Sequence, residues 1–377
     1  MFDISRENTG KFARWIRNIN KEILFSVMFL FLLGLFFSFS STSSIASDKL
    51  DKETYFFFAK HLFFVSISFC LLISISIQDR KFINKYLVPL FFISLILLFL
   101  VPFLGIEVKG SKRWLDFPLI PRFQPIEFLK PLFILITAKI ITRNDKLSLN
   151  VKYFLSFLSL ILIIALLITQ PDFGQTLLIF FTWITMIFVS GINMFMLFVS
   201  GFMFLVILIL VLYLFPTKFG YIFYRIQTFF DPSKGDNYQS QKALEAIKEG
   251  GLTGRGLGEG ILKENVPEAH TDYIIAVVSE EFGVLIVLLI IFLLLFLTYK
   301  TINKVFLEED EFIKLSLIGL ISLLVIQAFI HMGVNIRLLP TTGMTFPFLS
   351  YGGSSLIGSS LISGIILNYT KRMPKRI

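Results

Sequence analysis

The chain has 377 residues, of which 55% are hydrophobic and 46 are phenylalanine, and its mean hydropathy is +0.79. That composition excludes an ordinary soluble domain, and apolar runs near the ~20 residues that cross a bilayer recur along it, so the expectation is an all-α integral membrane protein with about ten transmembrane helices. The net charge of +9 does not indicate nucleic acid, because Lys and Arg gather at the ends of apolar runs as topology signals do, and the single cysteine, Cys70, lies inside such a run and excludes a disulfide framework or thiolate metal site.

Residues 1–22 are polar and carry Arg6, Lys11, Arg14, Arg17 and Lys21, which predicts a cytoplasmic N-terminal tail. The first apolar run is long, with no convincing cleavage site after it, and reads as a retained helix, Ile23–Ser40. A Ser/Thr-rich loop, Ser41–Thr54, leads to a second span over Tyr55–Ile77, a short basic loop with Arg80, Lys81 and Lys85, and a third span over Tyr86–Gly105. The segment VKGSKRWLDFPLIPRFQPIEFLKP, residues 108–131, breaks the apolar rhythm and belongs at the outer surface. Pro125 suits the first turn of the helix that follows. Glu127 and Lys130, three apart, share a face of that helix, and Arg122 precedes them at its mouth. Two readings stand: a self-neutralising Glu127–Lys130 pair, or two cations converging near one carboxylate for a functional purpose.

Val151–Thr169 crosses next, QPDFG turns, and Asp172 is placed to cap the following helix, Phe173–Ser190. Met194–Phe215 completes seven spans within 23–215, and residues 216–272 form a long extracytoplasmic loop. In that loop YQSQKALEAIKEGG has an apolar stripe of Ala243, Leu244 and Ile247 and predicts an amphipathic helix on the membrane surface. GLTGRGLGEG follows. It lacks the strand-before, helix-after setting of a nucleotide loop and reads as a flexible hinge.

KENVPEAHTDYIIAVVSEEFG, residues 263–283, then turns a polar loop directly into an apolar run. A position near a helix N-terminus is enough to explain Glu268. Asp272, the last charge before the apolar run and two residues after His270, points to function. Glu280 and Glu281 lie two turns further in and must face protein, water or a cation. Residues 273–369 hold the last three spans. Gln327, His331, Asn335 and Arg337 share one face of the second of these, towards the bundle interior, and LLPTTGMTFPFLSYGGSS predicts a broken backbone in a protein-lined cavity. A basic tail, 370–377, ends in the cytoplasm.

GSKRW, RFQPIEFLK, PDFGQT, VPEAHTDYI with EEFG, and PTTGMTFPFLSYGGSS, in this order and spacing, resemble the SEDS family of bacterial cell-wall proteins over essentially the whole transmembrane region. The resemblance implies a peptidoglycan glycosyltransferase of the bacterial cytoplasmic (inner) membrane. It would polymerise lipid II at the outer face during cell division and release undecaprenyl pyrophosphate. A class B penicillin-binding protein transpeptidase and other divisome proteins are the implied partners, with membrane lipids around the chain and no nucleic acid. PEAHTD and PDFG lean to the division branch, RWLDF to the elongation branch, and Ile126 stands where the family usually has a small residue. On the same grounds Asp272 is the expected catalytic residue, and Arg122, Lys130, Glu264, Glu127 and His270 are expected at the substrate. The chemistry suits these types: a carboxylate can act as general base on a sugar hydroxyl while cations stabilise a departing pyrophosphate. A divalent cation, Mg2+ or Mn2+, is compatible with the family, with no organic cofactor. The competing class is a flippase for a lipid-linked precursor, but a carrier places its key charges near the midplane, whereas these fall at the outer end. A scaffold-only role would not require converging charges.

Overall fold

The computed structural model describes residues 10–50, 56–108, 111–118, 120–214, 220, 224–225, 227–231, 238–260 and 268–372. In chain order the elements are α1 (Lys11–Asn18), α2 (Lys21–Leu50), α3 (Phe56–Ile77), α4 (Arg80–Leu104), β1 (Ile106–Val108), β2 (Ser111–Phe117), β3 (Ile120–Phe123), α5 (Pro125–Thr142), α6 (Leu149–Thr169), α7 (Phe173–Val189), α8 (Met194–Leu214), α9 (Tyr238–Gly250), α10 (Ile274–Val305), α11 (Glu311–Asn335) and α12 (Gly353–Tyr369). Six of these helices, α2, α3, α4, α6, α10 and α11, are long and apolar enough to cross a membrane. Helices α5, α7, α8 and α12 fill the remaining predicted span positions. The protein is an all-α integral membrane protein in its bundle, with one small sheet at an end.

The core lies where α5, α7, α11 and α12 meet. Leu129, Phe133, Leu178, Trp183, Leu320, Leu324 and Leu367 are all essentially inaccessible there. The outward faces of α4, α6 and α8 are as apolar as the core and exposed, as lipid-facing surfaces are; Phe92, Phe154 and Phe198 are examples. Cys70 is exposed on α3 and so faces outward too.

One end of the bundle gathers the first and the last described residues of the chain. Trp15 of α1 donates through Nε1 to Ser76 Oγ at 2.9 Å, Arg80 donates to Glu308 at 2.9 Å and to the Tyr369 carbonyl at 2.6 Å, and Asn368 donates to the Gln78 carbonyl at 2.6 Å. Lys371 donates to the Gln78 carbonyl at 3.0 Å, and its burial pulls the ammonium down to about 8. Residues 11–18, read from sequence as part of a polar tail, are therefore a docked helix whose Ala13 and Trp15 face the bundle.

The opposite end carries the sheet and the starts of α5, α7, α10 and α12. The polar segment 106–123 is not irregular: β1, β2 and β3 form an antiparallel sheet in sequential order. The period-2 pattern of β2 explains it, since Lys112 and Asp116 are exposed while Arg113 and Leu115 turn inward.

Two expectations for the long loop are overturned. The apolar stripe of helix α9 faces protein, not an open surface. Ala243 and Ala246 are fully buried against Tyr273, Ala276, Val277 and Val334, because their small side chains let α9 pack closely on α10 and α11. The glycine-rich run 251–256 is not a loose hinge either. It packs into a break in α10 at Gly283, whose φ of 78° and ψ of 174° interrupt the helix. An unbroken helix would bond the N–H groups of Val284 and Leu285 to the carbonyls of Glu280 and Glu281. Instead Val284 donates to Gly251 at 3.0 Å and Leu285 to Leu252 at 3.3 Å, while Arg255 and Gly256 donate to the Glu280 and Glu281 carbonyls at 2.9 Å each. The loop thus supplies a partner for all four freed groups. Glu280 and Glu281, only 0% and 1% exposed, accordingly face protein, and Ser40 of α2 donates to Glu281.

Gly283 combines a left-handed backbone with a close approach, since a Cβ there would meet Leu252 and Gly254. We expect Gly283→Ala to destabilise the protein by about 2 kcal/mol, read as a lower thermal midpoint in detergent, and to increase protease cleavage within 251–260. A midpoint equal to that of the unaltered chain would show that the loop is not locked by this contact.

Candidate active site

Asp272 lies at the sheet end, in the turn that starts α10. Glu268, at φ 58°, offers its carbonyl to the N–H groups of Thr271, Asp272 and Tyr273 at 3.0, 3.1 and 3.3 Å, which winds the chain tightly before the helix. Asn335, fully buried at the end of α11, donates to the Asp272 carbonyl at 3.1 Å and accepts from the Ala276 N–H at 3.1 Å. Ser350 donates to the Thr271 carbonyl at 2.7 Å and accepts from the Phe346 N–H at 2.7 Å. The backbone on both sides of Asp272 is therefore fixed by α11 and by the broken segment 338–352, leaving the half-buried carboxylate to point onward.

It points to Gly343, where φ is 71°. A Cβ at that glycine would lie 3.6 Å from Asp272 Oδ2 and 4.0 Å from Arg113 Nη1, so carboxylate and guanidinium converge on one small corner. Arg113 reaches it from the inward face of β2. Its Nε donates to the Gln170 carbonyl at 3.4 Å, its Nη2 donates to the Pro171 carbonyl, and its Nη1 lies 3.7 Å from Asp172 Oδ1. Arg225 approaches from another direction and donates to the Thr341 carbonyl at 2.9 Å, two residues from Gly343.

Asp172 begins a buried polar chain leading inward. It caps α7 by accepting from the Gln175 N–H at 3.3 Å and also accepts from Gln124 Nε2 at 3.0 Å. Gln175 donates to Glu127 Oε1 at 2.9 Å, and Glu127 Oε2 is 2.8 Å from Lys130 Nζ. Both members of that last pair are almost wholly buried, with side chains 5% and 1% exposed. Ile126 beside them is fully buried.

The expected substrate residues thus separate into groups. Glu127 and Lys130 pair with each other inside the bundle. Arg122 does not join them: its side chain is 64% exposed on β3 and pairs with Asp116 at 2.9 Å. The reason is the strand geometry, which turns Arg122 away from the helix mouth where sequence spacing had placed it. His270 stands in an aromatic corner, 5.5 Å from the Tyr351 ring and 5.2 Å from Phe57, and its carbonyl accepts from the Tyr351 N–H at 2.9 Å. Glu264 lies outside the described residues. Arg113 and Arg225 were not among the expected site residues. The alternation of β2 marks Arg113 as inward-facing, but nothing local marks Arg225, whose partner is 116 residues away. Among the described residues no group of three or more His, Cys, Asp or Glu is arranged to hold a metal ion.

Comparison with known proteins agrees along the length of the chain. A family model described as Cell cycle protein, covering FtsW, RodA and SpoVE, matches residues 21–374. The probable peptidoglycan glycosyltransferase FtsW of Caulobacter vibrioides is 32% identical over 371 residues, spanning 98% of this chain and 94% of that protein. Its counterpart in Haemophilus influenzae is 34% identical over 360 residues, 92% of this chain and 89% of that one. In fold, the chain is similar to one from a peptidoglycan synthase complex, with a TM-score of 0.74 at 24% identity over 93% of this chain and 97% of that chain. It is also similar to the rod shape determining protein RodA of Thermus thermophilus, with a TM-score of 0.68 at 24% identity over 93% and 96%.

The Glu127–Lys130 pair generates a direct test. Removing one partner leaves an uncompensated buried charge, so Lys130→Met should lower stability by about 3–5 kcal/mol, whereas the double change Glu127→Gln with Lys130→Met should recover most of it. Thermal unfolding in detergent reads both. A double variant no more stable than Lys130→Met alone would mean that mutual neutralisation is not what holds these two side chains.

Proposed function

The chain belongs to the SEDS family, and on that premise we propose that it is a peptidoglycan glycosyltransferase that polymerises lipid II into glycan strands. The observation that carries the mechanism is the convergence of Asp272 and Arg113 on Gly343 at the sheet end of the bundle. A sugar hydroxyl of one substrate attacks the anomeric carbon of the other. The new glycosidic C–O bond forms as the bond from that carbon to the lipid pyrophosphate breaks. Asp272 accepts the hydroxyl proton, and the electron pair of the broken bond leaves on the pyrophosphate. Arg113 at the corner, and Arg225 on the Thr341 carbonyl two residues from it, stabilise the growing negative charge. Arg122 serves as an outer contact. An exposed pair such as Arg122–Asp116 is worth at most about 1 kcal/mol, so the guanidinium readily exchanges its carboxylate for a phosphate.

Asn335, Ser350 and the Glu268 turn keep Asp272 in place while substrates come and go, and the buried chain from Asp172 to Lys130 does the same for Arg113. The charge distribution supports a direction in the membrane. Lys11, Arg14, Arg17, Arg80, Lys81, Lys85, Arg143 and Lys371 all lie at the termini end, and such an excess of basic residues favours a cytoplasmic position for that end, with Asp272 towards the outer face of the cytoplasmic membrane. The site charges cluster at one end and not at the bilayer midplane, which favours polymerisation over transport. The similarity to proteins described as FtsW favours a role in cell division, with a class B penicillin-binding protein transpeptidase and other divisome proteins as the partners that use the strands.

Purified protein incubated with lipid II and its transpeptidase should yield glycan chains on a gel. Asp272→Asn should reduce that yield by about 10²–10⁴-fold with the thermal midpoint unchanged, since a half-buried isosteric change costs little stability. Near-normal polymer from Asp272→Asn would remove Asp272 from the chemistry, and translocated but unpolymerised lipid would favour a transporter.

A further inference from the structure

A cavity of ≈ 550 Å³ opens at the termini end, between α4, α5, α6 and the start of α11, far from the Asp272 corner. Its lining is of two kinds. Val88, Ile140, Leu155 and Phe312 form an apolar wall, and Lys139, Arg143 and Lys152 line it with positive charge. Two carboxylates, Asp145 and Asp310, also face it, and both are engaged. Asp310 caps α11 by accepting from the Phe312 N–H at 2.9 Å, while Asp145 lies 3.1 Å from Lys152 Nζ and 3.1 Å from Arg143 Nε. Desolvation alone would raise the Asp145 carboxyl, but hydrogen bonds from Lys152 and the Leu147 N–H, with the charges of Lys152 and Arg143, hold it below the usual carboxylate range. Lys139, exposed in the last turn of α5, makes no ion pair among the described residues.

We propose that this cavity is a binding site for an anionic phospholipid of the adjoining leaflet, with the phosphodiester at Lys139 and Arg143 and an acyl chain along Val88, Ile140 and Leu155. Three cations against two carboxylates leave one positive charge, which one phosphodiester neutralises. A soluble phosphate would satisfy Lys139 and leave the apolar wall in contact with water. A zwitterionic lipid would fill the wall and bring its own ammonium against the cations. Only a lipid that is anionic overall matches both surfaces, and basic pockets between helices at the headgroup level are where such lipids bind. Arg143, with a side chain 72% exposed, and Lys139 can both extend to the headgroup while their stems lie along the helix ends.

The test uses the full chain in nanodiscs of mixed phosphatidylethanolamine and phosphatidylglycerol, with retained lipid counted by native mass spectrometry. The unaltered protein should hold phosphatidylglycerol in preference to phosphatidylethanolamine. Each Lys or Arg near the surface contributes roughly a fivefold gain in affinity, so Lys139→Gln should weaken retention about fivefold and Lys139→Gln with Arg143→Gln about 25-fold, while Lys139→Arg keeps it. Both positions are exposed, so the thermal midpoint should not change, and Lys139→Arg controls for any loss of packing. Equal retention of the two lipids, or a double variant that holds phosphatidylglycerol as the unaltered protein does, would overturn the proposal. Displacement of the lipid by glycerol 3-phosphate at equal concentration would also overturn it, in favour of a soluble phosphate ligand.

Discussion

Helix α10 gives up two backbone hydrogen bonds at Gly283, and the run 251–256 takes all four groups that this sets free. That exchange is the contact on which the sheet end of the molecule depends. An unsatisfied N–H or C=O at this depth costs several kcal/mol, so a broken transmembrane helix persists only where other protein atoms complete it. The 32 residues of α10 would measure about 48 Å as one unbroken helix, well beyond the ~30 Å of a hydrocarbon core. The break therefore separates a membrane-crossing part from a short outer part, Ile274–Phe282, which begins two residues after Asp272. Docking the glycine run fixes that outer part, and packing α9 on Ala276 and Val277 fixes it from a second side.

A second constraint holds Arg113. A guanidinium at the edge of an apolar bundle needs acceptors in a definite place, and here they are the carbonyls of Gln170 and Pro171 and the carboxylate of Asp172. Asp172 is itself committed to the α7 N-terminus and to Gln124, and Gln175 passes the connection to Glu127 and Lys130. Each member is positioned by the next, so the orientation of β2 against α5, α6 and α7 is specified by polar contacts as well as by apolar packing. Polar contacts are stronger in low dielectric than in water, which lets such a chain hold its members although Gln175 Oε1 itself makes no hydrogen bond among the described residues. A buried ion pair within the bundle thus bears on the candidate site, through the placement of Arg113.

Much of the fold was legible along the chain because a membrane simplifies the physics. Apolar runs of bilayer length, with basic residues at their ends, mark spans without reference to partners, and the helices follow the predicted segments closely. Asp272 was legible as a charge at the mouth of such a run, Asp172 as a cap, and Glu280 and Glu281 as carboxylates that needed protein around them. What local pattern misread was every segment whose fate depends on a distant surface. Ala243, Leu244 and Ile247 look the same whether the stripe meets lipid or another helix, and the buried alanines decide for the helix only because α10 and α11 present a complementary face. Glycines that are spaced for flexibility are equally spaced for close approach, and the break at Gly283 selects the second.

The sequence by itself determined the class of protein, the order of its helices, the end at which its chemistry-bearing residues collect and the family to which its motifs belong. These follow from composition and from short-range spacing, which do not change when the chain folds. The tertiary structure alone decided which cation meets which carboxylate. Spacing within one helix mouth left open whether Lys130 pairs with Glu127 or converges with Arg122; the fold selects the pair within the bundle, strand geometry sends Arg122 outward, and Arg113 arrives beside Gly343 and Arg225 at the Thr341 carbonyl from elements far away in the chain. Charge pairing acts over a few ångströms of space regardless of sequence separation, and only the folded chain sets those distances.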